Sequence, residues 1–79
     1  MKTQMFFEFK PDVNHPKVVE LGPYDLFVEI LRKHLDKGHV LYGMKSITGR
    51  YFIETDGTPL DNITNFVKEL ESMGGVVVW

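Results

Sequence analysis

Residues 47–59, ITGRYFIETDGTP, decide the fold. Thr48-Gly49 and Asp56-Gly57 are turn dipeptides, and the run between them, Arg50–Thr55, is aromatic and β-branched, the composition of a strand. Thr58-Pro59 then opens a helix, with Thr58 as N-cap, Pro59 at the first helical position and Asp61 three residues after the cap. Strand alternation places Tyr51, Ile53 and Thr55 on one side and Arg50, Phe52 and Glu54 on the other.

Upstream, residues 39–45 (HVLYGMK) read as a strand, separated from Arg50 by the hairpin-length turn Ser46–Gly49, so the two strands are expected to be antiparallel neighbours. Downstream, Leu60, Ile63, Phe66, Val67, Leu70 and Met73 recur at helical spacing. Gly74-Gly75 stops that helix, and Val76–Trp79 forms a last strand. At the other end, residues 4–9 (QMFFEF) alternate, with Met5, Phe7 and Phe9 on one face and Phe6 and Glu8 on the other. Residues 11–22 read as a connecting loop pinned by Val18, Val19 and Leu21. Gly22-Pro23 opens a helix whose face carries Tyr24, Phe27, Val28, Leu31 and Leu35, widened by Leu26 and Ile30, and Lys37-Gly38 closes it. The resulting order, β-α-β-β-α-β, is that of a ferredoxin-like plait, an α+β fold with a four-stranded antiparallel sheet and both helices on one face. Right-handed crossovers place the first and third strands at its centre.

The chain is short, 79 residues, which gives one domain over residues 1–79 with one modest core. It has no cysteine, which excludes disulfides, thiolate metal sites and cysteine nucleophiles. Support must come from packing or from a second subunit. With a net charge of −2 and no basic run, the electrostatic term that drives nucleic-acid binding is missing. Apolar stretches are too short for a membrane span, and the N-terminus lacks the apolar segment and cleavage site of a signal peptide, so a cytoplasmic location is expected.

If Phe7 and Phe9 face the helices, Phe6 and Phe52 stand on adjacent central strands of the open sheet face, ringed by Glu8, Glu54 and Arg50, with one of Val78 and Trp79 also facing out. Paired exposed phenylalanines mark a contact surface. A second subunit's sheet is the expected occupant, with Phe6, Glu8, Arg50, Phe52, Glu54 and Trp79 at the interface. Single-stranded RNA is the competing one, because TGRYFIET has the outline of an RNA-recognition signature. Arg50, Tyr51 and Thr55 occupy its first aromatic, small and last aromatic positions, however, and the face is acidic.

The pattern GHVLYGMKSITGRYFIETDG (residues 38–57) with I..FVKELESMGGVVVW (residues 63–79) resembles the small proteins of the dimeric α/β-barrel superfamily. That resemblance implies a ferredoxin-like unit whose sheets pair face to face in a homodimer, with a small-molecule pocket between sheet and helices, catalytic in some members. Thr48-Gly49-Arg50-Tyr51-Phe52 is also similar to a hairpin of the ligand-sensing domains of Lrp-type regulators, with Phe52 where that pattern has an acid.

His15 reads as a solvated loop residue, His34 as a partner of its helix C-terminus, and His39 as a strand opener able to reach the mouth of a pocket. No two histidines share metal-ligand spacing, and no nucleophile elbow, phosphate loop or dinucleotide fingerprint occurs, so no cofactor is expected. Gly43, inside a strand, marks either a packing accommodation or the close approach of another group. Tyr42 and Tyr51, with Tyr24, offer hydroxyls to an apolar pocket. The sequence therefore points to a homodimer binding a small apolar or amphipathic molecule at His39, Tyr42, Tyr51 and Tyr24. Two alternatives stand beside it. One is an isomerase- or monooxygenase-like enzyme using His39 with Tyr42 or Tyr51; the other is a protein-interaction module using the acidic sheet face.

Overall fold

The computed structural model describes residues 2–36, 38–45 and 50–78, with Val78 described by its backbone alone. The expected turn at residues 46–49, Lys37 and Trp79 lie outside the described residues. Alternating large apolar and polar side chains make β1 (Lys2–Pro11) a two-faced strand. It is flanked on both sides, by β3 (Arg50–Asp56) along Lys2–Glu8 and by β4 (Gly74–Val78) along Phe7–Pro11. These ladders carry β1 two residues further at each end than the alternation alone predicts. β2 (His39–Lys45) pairs with the outer side of β3, giving the order β2-β3-β1-β4 with every neighbouring pair antiparallel. The first and third strands are central, as expected.

Among the described residues three helices, not two, connect the strands. The segment read as a loop contains α1 (Pro16–Leu21), started by His15, whose Nδ1 accepts a hydrogen bond from the Lys17 backbone N–H at 3.2 Å. His15 is thus a half-buried helix cap and not a solvated loop residue. Pro16 at the first helical position needs no N–H partner. Val18 is buried and Leu21 half-buried, whereas Val19 points to solvent and pins nothing. Gly22, at φ 83°, ends α1 and begins α2 (Pro23–His34), its N–H donating to Val18 and its carbonyl accepting from Leu26. Gly38, at φ 80°, backs onto the Asp56 carbonyl so closely that a Cβ would collide with it, which fixes the entry into β2.

Helix α3 (Leu60–Ser72) begins one residue later than the capping pattern predicts: Pro59, extended at φ −59° and ψ 141°, is the N-cap, and its carbonyl accepts from Asn62 and Ile63. Proline has no side-chain acceptor, so the N-cap residue itself makes no side-chain hydrogen bond. Leu60 is exposed, while Ile63, Phe66 and Leu70 are buried. Gly74 and Gly75 belong to β4 itself, because a Cβ at Gly74 would strike the backbone of residues 10–12.

The core lies between one face of the sheet and the helices. Phe7 and Phe9 of β1 and Tyr51 and Ile53 of β3 meet Leu26, Phe27, Ile30 and Leu31 of α2 and Ile63, Phe66 and Leu70 of α3. Phe7, Phe27 and Phe66 are wholly shielded, each worth about 1.5–3 kcal/mol by area removed from water. The centre of the α2 stripe is Leu26–Phe27–Ile30–Leu31, and Tyr24, placed in the stripe by spacing, lies at its exposed margin.

Candidate interaction surface on the open sheet face

The other side of the sheet has no layer over it among the described residues. Its outward side chains stand in cross-strand rows fixed by register. Lys2 faces Asp56, which faces His39; Gln4 faces Glu54, which faces Leu41; Phe6 faces Phe52, which faces Gly43; Val77 faces Glu8, which faces Arg50 and then Lys45. Arg50, Phe52 and Glu54 point outward and Tyr51, Ile53 and Thr55 inward, as alternation requires.

The middle row explains Gly43. A Cβ built there would lie 2.8 Å from Cε1 of the Phe52 ring, so the missing side chain makes room for that ring, and the β2–β3 register runs through Gly43 without a bulge. Phe52, tilted over Gly43, meets Phe6 with ring centroids 6.4 Å apart. Phe6 remains 53% exposed, and Leu41 and Val77 on the same face are 63% and 49% exposed. Exposed Phe6, in contact with half-buried Phe52 on the central strands, makes with it one apolar patch instead of scattered surface residues.

Charge surrounds the patch. The Gln4 amide donates to Glu54 at 2.9 Å and Lys2 Nζ approaches the same oxygen at 3.6 Å, while Lys10 pairs with Glu8 at 3.7 Å. A groove of about 260 Å³ runs beside Phe6 and Phe52, between Gln4, Lys45 and Glu54. A second, of about 270 Å³, lies at the sheet end between Lys2, His39, Leu41 and Asp56. Sequence reasoning missed Leu41 and Val77. Applying alternation to β2 and β4, once their pairing is known, finds both.

The residues expected to hold a ligand are divided by the sheet. Tyr24, Tyr42 and Tyr51 do converge, all on Phe27, at centroid distances of 5.9, 6.1 and 4.8 Å. Of the three only Tyr51 is buried; its ring also stacks on Phe7 at 5.6 Å and on Tyr24 at 6.4 Å. Burial, then the neighbouring Tyr24, hold the Tyr51 phenol above its ordinary 10.0, so it stays neutral at physiological pH. His39 is not with them; it is exposed on the opposite face, in the row of Asp56 and Lys2.

Compared with known proteins, the chain matches no family model, no curated protein and no solved structure. Among the described residues, no group of histidine and acidic side chains is placed to hold a metal ion, and no helix is long and apolar enough to cross a membrane.

His34 does more than terminate α2. Its Nε2 lies 2.8 Å from Oε1 of Glu69 on α3, and Lys33 Nζ donates to the same oxygen at 2.9 Å. Burial pushes the Glu69 carboxyl up, but these two hydrogen bonds and the nearby positive charge outweigh it and leave the carboxyl below its ordinary 4.5. This node ties the two long helices together, and no spacing within either helix announces it.

Proposed function

We propose that this chain is a self-associating α+β domain of the ferredoxin-like class, with the short helix Pro16–Leu21 as an addition to it, and that its open sheet face is the contact surface for a second copy. The observation that carries this reading is the Phe6–Phe52 ring contact on the two central strands, with Phe6 half exposed, Phe52 half-buried, and charges of both signs around them. Stable interfaces bury about 800 Å² per partner, about a sixth of this chain's 5061 Å² surface. A face with aromatic centre and polar rim has the anatomy of such an interface.

The enclosure of the Tyr51 ring by Phe7, Phe9, Tyr24 and Phe27 favours self-association over a ligand held between sheet and helices. Light scattering coupled to size exclusion, from low to high micromolar chain, tests the proposal. A dimer that Phe52→Asp dissociates, with its circular dichroism unchanged, is the expected result. A monomer throughout, or a dimer indifferent to Phe52→Asp, overturns it. Native mass spectrometry of the same sample reports any retained small molecule, which would restore the ligand reading.

A further inference from the structure

We infer that the two copies are related by a two-fold axis running parallel to the strands, along the seam between β1 and β3. This rests on the self-association reading above and adds the geometry. A closed dimer uses the same patch twice, so the face must complement itself. Only certain axes allow that here.

An axis along the β1–β3 seam lays β1 of one copy over β3 of the other without reversing position along the strand. Each residue then sits above its own row partner in the other copy. Because the in-chain rows are Lys2–Asp56, Gln4–Glu54, Phe6–Phe52 and Glu8–Arg50, every overlay is favourable. Lysine lies over aspartate, amide over carboxylate, ring over ring, and glutamate over arginine, each twice by symmetry. The charge alternation across the seam is what makes the face complementary to itself.

An axis perpendicular to the strands through the phenylalanine row does not do this. It reverses position along both central strands. Arg50 of one copy then meets Glu54 of the other, but Lys10 lies over Lys2, like charge on like, and Glu8 over the neutral Gln4, so fewer opposite charges meet than about the seam. Like charges facing each other in an interface suppress that arrangement. The seam axis is the arrangement the charges select.

Two measurements on the full chain test this separately from dimerisation itself. Glu8→Arg alone sets an arginine at position 8 over Arg50 of the partner, and Arg50→Glu alone sets two acids together. Each should weaken its own homodimer at least tenfold, while an equimolar mixture of the two variants should form heterodimers of near wild-type affinity. Under the perpendicular axis, position 8 overlies Gln4 and Glu8→Arg leaves the dimer intact. A nitroxide on Lys10→Cys, clean because the chain has no other cysteine, reads the axis directly. With sheets ~10 Å apart and residues rising ~3.4 Å, the two labelled backbones stand about 11 Å apart under the seam axis and about 29 Å under the perpendicular one.

Short label distances with heterodimer rescue establish the seam axis. Long distances in an intact dimer overturn it and leave the sheet-face interface standing. A monomer overturns both.

Discussion

The two faces of one sheet, built from the same strands, have opposite fates. Phe7 is fully buried and Phe6, the residue before it, is half exposed; Tyr51 lies in the core and Phe52 beside it lies outside. On the helix side, ring meets ring in a closed layer: Phe27 contacts Phe7, Tyr51, Phe66, Tyr24 and Tyr42. On the open side the same kind of ring pair has neighbours beside it but none above among the described residues. The difference teaches that aromatic content does not make a core; a second layer does. A strand's period of two allots residues to faces, and only the helices decide which face is closed.

The largest blow to this contrast falls on the closed side. Phe27→Ala, measured by urea unfolding at chain concentrations low enough to keep the protein monomeric, should cost about 3–5 kcal/mol, because the cavity is walled by five rings that relax only in part. A loss under 1 kcal/mol would mean that the helix layer is loosely packed and the two faces are not so different.

Thr55 sharpens the comparison in the other direction. It is 1% exposed on the closed face, and its hydroxyl has no hydrogen-bond partner among the described residues. Thr55→Val keeps the shape and removes the unpaired group, so it should raise stability by about 1 kcal/mol in the same assay. A destabilised variant would reveal a hidden partner for the hydroxyl.

On the open face, Phe6→Ser should change unfolding of the monomer by less than about 1 kcal/mol, since the ring is half exposed already. It should nonetheless abolish self-association in sedimentation velocity. Equal loss in both measurements would make Phe6 a residue of the fold and not of the contact.

The smallest effect concerns the node holding the helix layer together. Glu69 titrates below its ordinary 4.5 in the folded chain, so its contribution is fully present above that value and is lost as pH falls through the folded value. Glu69→Gln should therefore be a few tenths of a kcal/mol less stable than wild type at neutral pH, with the gap closing toward pH 3 in thermal melts. A gap that stays constant with pH would mean that the node acts by packing alone.

Reading the sequence reached the sheet's faces because alternation is a local property of β1 and β3. Each residue's side is settled by its neighbour's, and no distant contact enters. It reached Gly22, Gly38 and Gly57 as punctuation for the same reason, since each takes a φ near 80° that other residues resist. Residues 16–21 were harder. Six residues form too short a helix to show a period, and their signal was a histidine cap followed by proline, which also reads as a loop. Thr58-Pro59 misled by one position because either residue can precede a first turn, and the backbone hydrogen bonds chose Pro59.

What the amino-acid sequence determined by itself is therefore the inventory of elements, apart from α1, and the division of β1 and β3 into two faces. Tertiary structure alone decided the rest: that His34 finds Glu69 across two helices, that Phe52 lies over Gly43, and that Tyr51 is closed in by four rings. It also decided the cross-strand rows that set Lys2 against Asp56 and Glu8 against Arg50. The reason is physical. Periodicity fixes where a side chain points relative to its own backbone, whereas a contact between distant residues depends on register and packing, which exist only once the layers have met.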